Sequence, residues 1–165
     1  MFDSFRADCR VNTEYPLSRL VMAIYRYGNW VHRKVRIPVV SHILWAIYWV
    51  AYIAICYMIC GSAIPAKCTI GRGLSLPHPF GIFLTRQVVI GDNALIMHQV
   101  TIGFRGESRD SPILGNDVYV GAGAKILGRL TVGNNSFIGA NAVVLDDVPS
   151  NATAVGIPAR VIATK

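Results

Sequence analysis

Charge is scarce in this chain. Of its 165 residues only 15% are Asp, Glu, Lys or Arg, while 53% are hydrophobic, so there is more apolar surface than a small monomer normally hides. Something else must cover part of it. The few charges are lopsided, nine acidic against sixteen basic, for a formal net charge of +7, which suits a phosphate-rich ligand or an anionic membrane surface. Nucleic acid is not expected as a partner, because the basic residues are scattered and no nucleic-acid motif accompanies them. Cysteine is also sparse. Cys9, Cys56, Cys60 and Cys68 form no CxxC, which argues against a disulfide framework or a zinc site and for buried thiols in a reducing cytosol. The opening MFDSFRADCR is polar and charged, so no secretory leader is expected.

What is present divides near Ala63, into an α-helical extension over 1–62 and a second part over 63–165. In the first part Leu17, Leu20, Val21, Ile24 and Val31 recur at helical spacing, with Arg19, Arg26 and Arg33 mostly on other faces, which predicts a basic amphipathic helix. Pro38 then interrupts, Ser41 offers an N-cap, and Ile43 to Cys60 runs for 18 residues without a charge. That is the threshold length for crossing a bilayer. Three fates are open to it: a span, a helix buried in an oligomer, or a monotopic anchor lying partly in the membrane. A span would put the second part across the membrane from Arg33, Lys34 and Arg36, outside the cytoplasm. Trp30, Trp45, Trp49, Tyr48, Tyr52 and Tyr57 suit an interface, so peripheral or monotopic attachment at the inner face of the cytoplasmic membrane is the favoured expectation.

The second part has a different rhythm. Aliphatic residues precede glycine at Ile70, Ile90, Ile102, Leu114, Val120, Val132 and Ile138, at intervals that are mostly multiples of six. The register reads Ile64, Ile70, Leu76, Ile82, a slip of two residues, then Ile90, Ile96, Ile102, Leu114, Val120, Ile126, Val132, Ile138 and Val144. Six residues do not make a whole number of α-helical turns, so a helix would blur this repeat. A parallel β-helix of triangular coils, with six residues to an edge and glycine at tight corners, is the architecture this period specifies. The stretch FRGESRD breaks the rule, since Ser108 stands at a register position, and it is expected to protrude. Arg105 and Arg109 in it either meet an acceptor or nucleotide phosphates of an adjacent subunit, or belong to a solvated connector.

On this register His78 lies two residues after Leu76 and His98 two after Ile96, which places both imidazoles at equivalent positions on adjacent coils, about 4.7 to 4.9 Å apart along the stack. A metal is not expected, because the pair lacks further ligands at suitable positions. His32 and His42, in the helical part beside basic residues, are read as structural.

The motifs IPAKCTIGRGLSLPHPFGIFL, IGDNALIMHQVTIG, YVGAGAKILGRLTVGNNSFIGANAVVLDDVP and AVGIPARVI resemble the hexapeptide-repeat acyltransferases of the serine acetyltransferase group, closest to the exopolysaccharide branch of colanic acid type. The resemblance covers the whole second part, and the hydrophobic extension is similar to that branch as well. It implies a mostly β fold, a left-handed parallel β-helix preceded by an α-helical N-terminal extension, assembled as a homotrimer. It also implies acetyl-CoA as cosubstrate, with His78 as the catalytic base and His98 as a second catalytic candidate. Cofactor contacts carry over to Gly103, Ala122, Lys125, Ala140, Leu145, Asp146 and Arg160. Two family features are missing: the acidic residue fifteen before the catalytic histidine is here Ala63, and a histidine before a proline is here Ser111. Both losses touch residues that handle serine, so the expected acceptor is a sugar hydroxyl, free or lipid-linked, in bacterial exopolysaccharide assembly. Serine or another small acceptor is the alternative, and a non-catalytic hexapeptide scaffold is a third reading.

Overall fold

The computed structural model describes residues 2–107 and 109–164; Ser108, where the repeat breaks, lies outside them. Three α-helices come first, α1 (Phe2–Val11), α2 (Pro16–Lys34) and α3 (Pro38–Ala51), the last continuing as a π-helical segment over Tyr52–Ile59. The chain then winds into stacked triangular coils. One face holds β1 (Thr69–Ile70), β3 (Val89–Ile90), β6 (Ile113–Leu114) and β9 (Thr131–Val132). The next holds β4 (Leu95–Ile96), β7 (Tyr119–Val120), β10 (Phe137–Ile138) and β12 (Ala152–Gly156), and the third β2 (Phe83–Leu84), β5 (Thr101–Gly103), β8 (Lys125–Leu127) and β11 (Val143–Val144). Neighbours on each face pair in parallel, and β13 (Ala159–Thr164) closes the second face antiparallel to β12. This is a left-handed β-helix of hexapeptide coils.

The register residues Ile64, Ile70, Leu76, Ile90, Ile96, Ile102, Leu114, Val120, Ile126, Val132, Ile138 and Val144 all point inward and are buried. One position differs. Leu84, not Ile82, is the partner of Ile102, so the two extra residues lie between Leu76 and Leu84 rather than after Ile82. The corner they enlarge is the one that carries His78: Gly81, not Pro79, takes the left-handed conformation (φ 68°) that Gln99 (φ 58°) takes one coil on. Ile82 is buried as well, which is why the sequence register absorbed it.

At the corner after the first face, side chains continue the ladder that the backbone leaves. Asn116 Oδ1 accepts from the Asp92 N–H at 2.8 Å, Asn134 Oδ1 from the Asn116 N–H at 2.7 Å, and Ser150 Oγ from the Asn134 N–H at 3.1 Å. The glycines there leave room for these carbonyl and hydroxyl oxygens. A β-carbon on Gly91 would meet Asn116 Oδ1 and stand 2.5 Å from the Gly115 carbonyl oxygen. Gly91→Ala is therefore expected to destabilise the fold by about 1–3 kcal/mol, read as a lower urea midpoint.

Among the described residues no strand stands beside the opening edge of the first coil, and its hydrogen bonds come from α1, the turn after it and α2. Asn12 donates to the Leu74 carbonyl and accepts from the Leu76 N–H, Ser18 donates to the Leu76 carbonyl, and Tyr25 OH accepts from the Ile70 N–H. Arg26 faces this edge instead of solvent: it is buried, bound to Asp8 at 2.8 Å, and donates to the Ile70 and Gly71 carbonyls. Pro38 starts α3 rather than interrupting, with Ile37 as its N-cap and Ser41 inside the helix, because proline fits a first helical turn. Tyr48, Tyr52 and Cys56 bury one side of that helix in the same hydrophobic core as the coils.

The four cysteines are free. Cys56, Cys60 and Cys68 are buried, and burial pushes the Cys68 thiol up to about 12. At pH 8 a thiol reagent is thus expected to label only Cys9 in the folded protein and the other three after denaturation.

Candidate active site

The edge between the second and third faces carries both histidines. Their ring centroids are 5.7 Å apart at an interplanar angle of 74°, an edge-to-face pair on adjacent coils. His78 is exposed, and the Tyr15 ring also stands edge-on to it at 6.2 Å. His98 is half-buried, and its Nδ1 is buried without a hydrogen-bond partner among the described residues. The enlarged corner is anchored from below: Ser62 Oγ donates to the Pro79 carbonyl at 2.8 Å, and the Gly81 N–H donates to the Cys60 carbonyl at 3.0 Å. Tyr15 and Ser62 were not singled out in the sequence, since a residue before the Pro16 helix start and a serine before a coil carry no site pattern.

Beyond His98 the same edge becomes small. Ile96 pairs with Val120 and Val120 with Ile138, so Ala122 and Ala140 follow His98 along the stack. A β-carbon on Gly121 would lie 2.6 Å from the Ala140 nitrogen, so this wall is flat by necessity. Lys125 leans onto the same corner, its Nζ donating to the carbonyls of Gln99 (2.7 Å) and Gly123 (2.9 Å). The corner's backbone donors are largely engaged: the Gln99, Gly123 and Asn141 N–H groups bond the Phe80, His98 and Ala122 carbonyls of the preceding coil. Those three N–H groups are therefore not free to meet a developing oxyanion. The ammonium of Lys125, with three N–H groups and two carbonyl partners, has a donor to spare.

Leu145, Asp146 and Arg160 come together elsewhere, around a hollow of about 190 Å³ at the last coil, where β13 folds back. Gly103, at the end of β5, lies on the third-face strand two coils before β11, with Thr85 beside it. The sequence-predicted cofactor residues thus sit on two different edges of one prism, and a single copy does not bring them into one cleft. Ser111 is also away from the histidines, its Oγ 2.8 Å from Thr85 Oγ1. Arg105 and Arg109 are exposed, the former with its stem over Gly128.

Coils of this period define the hexapeptide class, and comparison with known proteins agrees. A family profile described as "Bacterial transferase hexapeptide (six repeats)" matches residues 111–146. The serine acetyltransferase of Synechococcus elongatus is 36% identical over 143 residues, covering 86% of this chain and 55% of the relative. That of Helicobacter pylori is 47% identical over 106 residues, covering 63% of this chain and 62% of the relative. The "Putative colanic acid biosynthesis acetyltransferase WcaB" of Escherichia coli is 44% identical over 119 residues, covering 68% of this chain and 74% of the relative. A crystal structure of serine acetyltransferase in complex with coenzyme A, from Brucella abortus, superposes with a TM-score of 0.83 at 29% identity, over 98% of this chain and 67% of that one. The chain belongs to the hexapeptide-repeat acetyltransferase family. It spans little more than half the length of the serine acetyltransferases it matches.

Proposed function

We propose that this protein is an acetyl-CoA-dependent O-acetyltransferase that acts on a sugar hydroxyl in bacterial exopolysaccharide assembly. The observation that carries the reading is the exposed His78, buttressed by His98 on an edge that continues into the flat Ala122–Ala140 wall. A hydroxyl is a poor nucleophile until its proton is removed, and imidazole titrates near neutrality. His78 accepts that proton as the acceptor oxygen forms its bond to the thioester carbonyl carbon. The Lys125 ammonium offers positive charge at the same corner for the oxygen on which negative charge develops. As the carbon–sulfur bond breaks, the imidazolium returns the proton to the departing thiolate, so no acyl-enzyme forms and the histidine ends as it began.

The small-residue wall fits a pantetheine arm, and the hollow with Arg160 fits its phosphate-bearing end. Because those two sets lie on different edges, the cleft that joins them is read as one between neighbouring copies, which supports a homotrimer. Sugar is preferred to serine because Ala63 and Ser111 stand where the resemblance implies a carboxylate and a histidine. The same reading places the enzyme at the inner face of the cytoplasmic membrane, where saccharides are assembled on lipid carriers. Serine as acceptor is the second reading, favoured by the serine acetyltransferases among the relatives.

The test is thiol release from acetyl-CoA with free serine, nucleotide sugars and lipid-linked oligosaccharides as acceptors, His78→Ala serving as control. Turnover with a saccharide and none with serine is expected; turnover with serine alone would overturn the sugar assignment.

A further inference from the structure

Between Glu14 and Asp92 the chain has no acidic residue, yet it has eight Lys and Arg there. Arg26 and Arg72 are paired, with Asp8 and Asp92. Lys67 and Arg86 have no ion-pair partner among the described residues, and both line a groove of about 450 Å³. The groove lies between the first coil and α3. Trp45, Trp49 and Tyr52 form its helical wall, and His32 from α2 stands edge-on to Trp45 at 6.3 Å.

Beyond the groove the helix is bare. Pro38–Ile59 is 22 residues long and apolar enough to cross a membrane, but Tyr48, Tyr52 and Cys56 hold one side of its second half against the coils. On another side α2 meets it through Tyr27, whose OH donates to the Leu44 carbonyl, and through His32 against Trp45. The remaining surface is exposed among the described residues: Val39 is 71% exposed, Val50 72% and Met58 76%, with Ile43, Ile47 and Ile53 exposed between them. A patch of this extent marks a contact surface. A second copy of the chain would bring the same uncompensated cations to the same face. An anionic lipid surface meets both halves, apolar tails for the helix and phosphates for Lys67 and Arg86, and indoles such as Trp45 and Trp49 favour that boundary.

We propose that this groove binds the phosphate headgroup of an anionic phospholipid through Lys67 and Arg86, with Trp45 and Trp49 at the acyl boundary and the bare face of α3 immersed in the leaflet. The site deepens the membrane placement proposed above by naming what is bound and where. It also has a direction. The far end of the helix leads through Cys60 and Ser62 into the contacts that hold the His78 corner, so docking sets that corner beside the bilayer surface.

Flotation of the full-length protein with vesicles tests it. The protein is expected to float with phosphatidylglycerol-containing vesicles, and much less with pure phosphatidylcholine or in high salt. Lys67→Glu/Arg86→Glu is expected to bind the anionic vesicles at least roughly tenfold more weakly while melting at the wild-type temperature. Wild-type flotation by that variant, or none by the wild type, would overturn the proposal. So would a Val50→Asp variant that loses an oligomer in gel filtration yet floats unchanged, since the face would then be covered by a second copy. His78→Ala is expected to float normally, which keeps failure of the lipid site distinct from failure of the catalytic reading.

Discussion

His78→Ala is expected to lower acetyl transfer by roughly a hundredfold to ten-thousandfold, the range a positioned general base contributes. The loss is expected in kcat, with little change in KM for acetyl-CoA, because in the proposed mechanism the ring meets the acceptor hydroxyl, and the residues proposed for the cofactor lie further along the edge or on another one. His98→Ala is expected to have a smaller effect, as its ring backs His78 and its Nδ1 faces no partner among the described residues. Steady-state kinetics with the acceptor found by thiol release separates the two. Equal losses would make the pair a joint unit; full activity without His78 would leave the edge a scaffold.

Asp8→Ala is expected to be the most damaging change to the fold. Asp8 is fully buried, binds Arg26 through both oxygens, and accepts from the Leu74 N–H at 3.1 Å. Removing it leaves a guanidinium buried without its counter-charge, a loss of about 3–5 kcal/mol. For a chain of this size that corresponds to a melting temperature lower by roughly 6–20 °C, measurable by scanning calorimetry. Asp8→Asn, which keeps an acceptor for Leu74, is expected to fall between. Asp8→Ala/Arg26→Met removes the stranded charge but frees the Ile70 and Gly71 carbonyls, so it is expected to recover only part of the loss.

Much of this architecture is written locally. A six-residue period in Ile, Val and Leu fixes which side chains point inward, and because parallel coils stack in register, two histidines at matching offsets had to share an edge. Other features were not legible. The enlarged corner was misplaced because Ile82 and Leu84 are both aliphatic and both buried, and only pairing with Ile102 distinguishes them. Arg26 looked solvated because helical periodicity does not reveal that Asp8, eighteen residues earlier, returns to meet it. The donors at the histidine corner could not be judged either, since whether a backbone N–H is engaged depends on the coil before it.

Both ends of the prism have strand edges that are partnered. Raw strand edges tend to recruit further strands, so an uncovered β-helix would add units along its axis into a fibre. Here Asp8, Asn12, Ser18, Tyr25 and Arg26 occupy the edge at one terminus, and β13 folds over β12 at the other. Axial polymerisation is thereby stoppered at both poles, and self-association is left to the flanks.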